Sequence, residues 1–303
     1  MKKVLLATTI LGMTAGFAAA EITWTGEATA GFAQNGMKNG GKTSVVAAAA
    51  GKTANSTINP YASFKLAIAA TGESDSGLTF GASTDITSGI AYAMANDDGF
   101  SGKAGTLGTP TIFVSGDFGK LSVKADGYKE YQDDSNEKYD VEYTHTIAGV
   151  SVGVRTDLHN DFAATKGKSS VKLGYTAGAI ALNAAFDEVG NKWGVSAAYT
   201  MGAITATVGT DNASVSSLKL AYKGENGISG DIKAKSNNEV EANVGYTANG
   251  MTLGATVTAG TKIAGVDTNK WKVTASYDLG GGLSVEAGAN YTDDAFLGAK
   301  MKF

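Results

Sequence analysis

The chain has no cysteine, two prolines, two histidines and one arginine among its 303 residues. Without cysteine there is no disulfide staple, no thiolate nucleophile and no soft metal ligand. Neither a collagen repeat nor proline-rich disorder fits 41 glycines set against two prolines. His145 and His159 are the only imidazoles, and His145 follows the apolar parity of a strand pattern, where an interfacial residue is expected rather than a general base. Asp157, His159 and Asp161 alternate along a predicted loop and read as solvated polar residues rather than a metal site. "DDSNEK" at 133–138 lacks the sixth-position glycine of a calcium loop and reads as an acidic rim. There is no glycine-rich phosphate loop and no Gly-x-Ser-x-Gly elbow, so neither an enzyme nor a cofactor is expected. The net charge of −4 comes without a basic cluster, which excludes nucleic acid as a partner.

Long apolar runs are also missing beyond the first residues. Lys2 and Lys3 precede an apolar stretch from Val4 to Phe17, and Ala18-Ala19-Ala20 supplies small residues for cleavage, so residues 1–20 are expected to be a secretory signal peptide. A retained anchor is the alternative, but the stretch is shorter than the ~20 residues of a spanning helix. Glu21 would begin the mature chain, and residues 21–303 form one architecture with no linker or composition shift. No later run reaches the ~18 residues of a helical span, so a membrane would have to be crossed by strands.

What the chain does have is period two. Trp193, Val195, Ala197 and Tyr199 share one parity and Gly194, Ser196, Ala198 and Thr200 the other, which is the signature of a strand with two different faces. The pattern recurs in "SVKLGYTAG", "EVEANVGYTANG" and "KWKVTASYDLGGG", each followed by a short glycine turn and a renewed alternation, which reads as a series of hairpins. Eight short turns alternate with longer polar connections at 34–59, 86–109, 127–138, 158–167 and 261–269. The fold expected is all-β, an antiparallel up-and-down transmembrane β-barrel of 16 to 18 strands, with the count favouring 18.

A soluble β-sandwich would also alternate, and charged strand residues on the polar parity are compatible with both folds. Aromatic placement favours the barrel. Tyr143, Tyr175, Tyr199, Tyr222, Tyr246 and Tyr277 all fall on the apolar parity, most of them just before a short turn. Trp193 and Trp271 each lie six residues before such a tyrosine. At ~3.3 Å per residue and a tilt near 45°, the two sets are separated by roughly 14 Å in height. Two aromatic belts flanking Val, Ala and Leu suit a lipid-facing band. The terminal "AFLGAKMKF" then reads as a closing strand, with Phe303 toward lipid and Lys300 and Lys302 inward.

The Lys-Lys signal, the opening "EITWTGEATAGF", the segments "SDSGLTFGAS" and "SGDFGKLSV", the hairpin "ASYDLGGGLSVEAG" and the ending "GAKMKF" together resemble Gram-negative general porins of the alphaproteobacterial branch. The resemblance implies an outer-membrane homotrimer that passes small hydrophilic solutes, and a terminal aromatic, Phe303, read by the barrel assembly machinery. Ala28, Ala30 and Gly31 offer small residues for contact between neighbouring barrel walls. Two features depart from the family pattern. The third loop, near 127–138, is short, and Arg155 stands where a ladder of arginines is usual. A constriction would then come from 86–109, with Asp97 and Asp98 as its acidic edge. Strand parity makes Lys65, Lys124, Arg155 and Lys172 the candidate pore cations, with Asp126 and Glu142 as further counter-charges. The alternative function is a non-conducting structural or adhesive barrel acting through its loops.

Overall fold

The structure is a computed structural model that describes residues 21–34, 58–92, 100–132, 137–158, 167–263 and 266–303. Its strands are β1 (Glu21–Gln34), β2 (Ile58–Glu73), β3 (Thr79–Tyr92), β4 (Phe100–Leu107), β5 (Thr111–Gly116), β6 (Gly119–Lys129), β7 (Glu137–Ile147), β8 (Val150–Thr156), β9 (Ser169–Ala177) and β10 (Ile180–Asp187). They continue with β11 (Lys192–Met201), β12 (Ile204–Asp211), β13 (Ser216–Lys223), β14 (Ile228–Lys235), β15 (Val240–Ala248), β16 (Met251–Ile263), β17 (Val266–Gly280), β18 (Leu283–Asn290) and β19 (Ala295–Lys302). Sequential strands pair antiparallel, and β19 returns to β1, so the sheet closes into a barrel. β4 and β5 both pair with β3, at residues 86–92 and 79–83 respectively. They are two halves of one stave, interrupted at Gly108-Thr109-Pro110, where proline has no N–H to offer a ladder. The described strands therefore make eighteen staves, the number favoured by the turn count.

Short turns are set by residues that tolerate left-handed backbone. Ala148-Gly149 (φ 50° and 83°) and Asn249-Gly250 (φ 51° and 78°) have the two positive φ values whose twist matches flanking strands. The opposite connections are shorter than the polar composition suggests. β3 and β4 occupy most of 86–109, and β16 and β17 most of 261–269. Polar residues extend these strands because, beyond the lipid band, both faces are wet and the ladder needs no apolar parity.

Among the described residues only Ala33, Tyr61 and Tyr139 are buried hydrophobics, while Val195, Leu220 and Val244 are 45%, 46% and 62% exposed. A sandwich would interdigitate such side chains in a dry core. Here the closed sheet turns them outward, where only lipid can cover them. Tyr175, Tyr199, Tyr222, Tyr246, Tyr277, Trp193 and Trp271 are all exposed on this outer face. Tyr199, Tyr222 and Tyr246 stand opposite Ile180, Ile204 and Ile228, each the first residue after a short turn, so the tyrosines share one height.

The seam is closed to the last residue. Eight register pairs run from Glu27↔Lys302 to Gln34↔Ala295. The Gly26 N–H donates to the Phe303 carbonyl at 2.7 Å, and the Phe303 N–H returns to Gly26 at 3.0 Å. The Phe303 ring lies over Gly26, where an added Cβ would come within 2.0 Å of it, and stacks on Phe64 at 6.0 Å. Ala28 and Ala30 face outward, on the parity of Trp24 and Phe32. Gly31 does not, because the inward Tyr61 hydroxyl lies 2.7 Å from its Cβ position, and the odd parity of β1 faces the lumen.

Candidate functional site

The lumen face departs from a plain wall where β6 ends. Its pairing with β7 shifts register twice, between Val123 and Tyr128 and again before Lys129. Such bulges bend a strand and re-aim the side chains beyond the bend. Glu130 to Gln132, just beyond the end of β6, consequently leave the wall and lie across the inner faces of β7 to β11. Two glycines make room. A Cβ at Gly153 would sit 2.4 Å from the Tyr131 hydroxyl, and one at Gly194 2.4 Å from the Gln132 side chain.

Asp187 fastens this segment. Its Oδ1 accepts the Tyr131 N–H at 3.1 Å and its Oδ2 the Gln132 N–H at 2.8 Å. The Ser170 hydroxyl donates to Asp187, and the Tyr131 N–H is shared with Ser170 Oγ at 2.9 Å. Both Asp187 and Ser170 are fully buried. Several donors on one buried carboxylate replace the water it has lost, and charge-assisted bonds are the stronger kind. Next to it, Lys192 Nζ lies 2.9 Å from Glu130 Oε2.

Arg155 sits beneath. Its Nε donates to Glu142 Oε1 at 2.8 Å and its Nη1 to the Lys129 carbonyl at 2.6 Å. Its guanidinium carbon lies 3.8 Å from the centre of the Tyr131 ring and 5.6 Å from that of Tyr128. The Tyr131 hydroxyl donates to the same Glu142 oxygen at 3.0 Å. Burial, reinforced by the Glu142 charge, pushes the Tyr131 phenol well above its ordinary value, so it remains a donor. A planar cation stacked between tyrosines is a use of arginine that lysine does not reproduce.

The predicted pore residues divide between this site and the rest of the wall. Arg155 and Glu142 are cross-strand neighbours and form the ion pair just described. Lys65 faces inward 3.4 Å from Asp85, a partner that parity alone does not single out, and shares a hollow with Lys124. Lys172 projects into the lumen from β9. Asp97 and Asp98 lie outside the described residues, and Asp126 belongs to β6 but its side chain is not among those described. The described part of 86–109 belongs mainly to the wall, and it is residues 130–132 of the third connection that lie inward. Tyr131, Ser170, Glu130 and Lys192 carry no signal in the sequence that marks them as part of a site, and Asp187 carries only that of a mid-strand charge. Parity places Asp187 inward without saying what covers it. Of the loop triad, Asp157 is buried, and His159 and Asp161 lie outside the described residues.

On β13 to β16 the wall is bare. Lys219 Nζ lies 3.3 Å from Asp231 Oδ1, Asn243 donates to Asp231 at 3.2 Å and to Glu241 at 2.9 Å, and Thr256 donates to Asn243 at 2.7 Å. These side chains bridge neighbouring strands and lie along the sheet.

Comparison with curated proteins gives no match. Among solved structures, the chain is similar to variants of the Rhodopseudomonas blastica porin. One with five substitutions is 14% identical with a TM-score of 0.53, and one with three is 14% identical with a TM-score of 0.54. In both the match covers 93% of this chain and 100% of the other, a likeness of fold. The family model for Gram-negative porins matches residues 124–295, more than half of the chain and including the β7 to β11 wall and the inward segment that covers it. The chain belongs to the Gram-negative porin family.

Proposed function

We propose that this barrel conducts small hydrophilic solutes and ions passively, through a lumen narrowed from one side by residues 130–132 with Arg155 and Glu142. The family makes the chain an outer-membrane channel. The narrowing rests on one observation, the attachment of Tyr131 and Gln132 to Asp187 across the inner wall. Lys65, Lys124 and Lys172 add positive charge to the lumen, so solutes are sorted by size and sign in a field fixed by the wall. No chemical step is assigned to any of these groups. In planar bilayers the protein is expected to open in stable ohmic steps. A protein that inserts without conducting would favour the structural or adhesive barrel.

The finer assembly belongs to the same proposal. Residues 1–20 act as a signal peptide, which N-terminal sequencing of the mature protein beginning at Glu21 would support. Barrels associate as homotrimers through small outward residues such as Ala28 and Ala30, with the aromatic rings of the outer face against outer-membrane lipid. Phe303 serves the barrel assembly machinery as a terminal signal. Native mass measurement in mild detergent that found only monomer would remove the trimer.

A further inference from the structure

We propose that the lumen wall carries a binding hollow for a divalent oxyanion, of which inorganic phosphate is the simplest, between Lys120 and Lys172. The proposal rests on the channel reading, since the hollow opens to the lumen. Lys120, Thr144, Gly153 and Lys172 are consecutive partners in one row across β6, β7, β8 and β9. Three strand spacings put the two lysine backbones roughly 14 Å apart on a concave face, each with a flexible four-carbon stem. Between them Gly153 brings no side chain of its own, and the Tyr131 hydroxyl packs against it as part of the lining. The resulting hollow measures about 540 Å³ and includes Lys120, Thr144, Gly153 and Lys172 in its lining.

The hollow brings together two lysines that no carboxylate holds, whereas Lys272, also without an ion pair among the described residues, shares its hollow with Asp231 and no second lysine. Lys65, Lys192, Lys219 and Lys300 are each held by a carboxylate, from Asp85, Glu130, Asp231 and Glu27. Among the described residues neither Lys120 nor Lys172 forms an ion pair. The Lys120 ammonium is instead positioned 4.3 Å over the Phe113 ring. Glu142 is the one carboxylate lining the hollow, and it already accepts Arg155 and the Tyr131 hydroxyl. Two exposed cations thus border a space whose only anion is neutralised. A doubly charged oxyanion above this row draws the Lys172 ammonium from one side and, by a swing of its stem away from Phe113, that of Lys120 from the other, with the Thr144 hydroxyl between them.

Inorganic phosphate, added to a potassium chloride bath at pH 8, is expected to lower the single-channel current in a saturable way. Lys120→Gln and Lys172→Gln should each raise the half-blocking concentration by roughly fivefold to tenfold, as for the loss of one partly exposed charge contact. Lys272→Gln removes the same charge from the bare wall and should leave the block unchanged. Heat-modifiable migration on gels verifies that each variant is folded. Equal weakening in all three variants would make the block a property of total lumen charge and overturn the hollow, as would a wild-type channel that conducts chloride with no phosphate block. Absence of stepwise conductance would instead overturn the channel reading, and the hollow with it.

Discussion

Strands β7 to β11 and strands β13 to β16 share one alternation and one antiparallel ladder, yet their inner faces differ in kind. On the first, a chain segment is laid over the wall, Asp187 and Ser170 lose their water to it, and its own Glu130 is buried against Lys192. On the second, Lys219, Asp231, Asn243 and Thr256 satisfy one another along the sheet and remain open to the lumen. The difference lies in what faces each carboxylate. Asp187 receives two backbone N–H groups from another segment, whereas Asp231 receives a lysine and an asparagine from adjacent strands. Substitutions on the covered wall should therefore move the segment and the current together, while those on the bare wall should change charge alone.

The largest effect is expected at the seam on which both walls depend. Phe303→Asp removes the ring that covers Gly26 and puts a charge on the lipid face, a cost of up to a few kcal/mol, smaller near the interface than at mid-membrane. Much less heat-modifiable protein should reach the outer membrane than for Phe118→Asp in a short turn. Equal yields would mean that the terminal ring is not needed for closure.

Asp187→Ala comes next. It leaves the Gln132 N–H and the Ser170 hydroxyl without their acceptor and the Tyr131 N–H with Ser170 Oγ alone, at about 1–3 kcal/mol for each group that stays buried and unpaired. Single-channel current should rise and become noisier, and the gel transition should fall to lower temperature. Asp231→Ala, its counterpart on the bare wall, should alter neither property appreciably. If the two variants behave alike, Asp187 does not fasten the segment.

A smaller perturbation tests the same contact from the floor. Gly194→Ala drives a methyl into the Gln132 side chain, an overpacking cost of about 1–3 kcal/mol unless the segment lifts. Gly254→Ala on β16 meets only the Thr274 hydroxyl, at 2.9 Å, which a rotamer change can relieve. A current increase confined to Gly194→Ala is expected.

Arg155→Glu reverses a charge beside Glu142 and removes the cation stacked on Tyr131. In a salt gradient the reversal potential should move toward cation preference, further than for Lys272→Glu. No shift would take Arg155 out of the narrow part of the lumen.

The smallest effect belongs to the loop edge. The Ser169 N–H, followed by Lys168, holds the exposed Glu188 carboxyl below its ordinary value of 4.5. Its folded pKa is depressed, so its contribution is present above the ordinary value and is lost as pH falls through the lower folded one. A surface contact of this sort is weak, and Glu188→Gln should change the acid stability of the barrel only slightly.

The barrel is readable from the sequence because its causes are local. Val195 and Tyr199 face lipid by parity with Trp193, and the Asn249-Gly250 turn selects its own hairpin, so strand faces and stave number depend on neighbours along the chain. The limits of the strands are less readable, since β4 and the ends of β16 and β17 are held by pairing rather than by an apolar face. The cover over the inner wall is not readable. Nothing near Asp187 in the sequence indicates that Tyr131 and Gln132, more than fifty residues earlier, will bring it their N–H groups. Parity places Arg155 and Glu142 on the lumen face but cannot stack a tyrosine on the guanidinium. Those contacts arise only when the closed sheet bends β6 at its bulge and brings a distant segment over two glycines that leave space for it. The sequence by itself determined which face of each strand meets lipid. The tertiary structure decided which part of the lumen is covered, because that depends on contacts between residues that no local period relates.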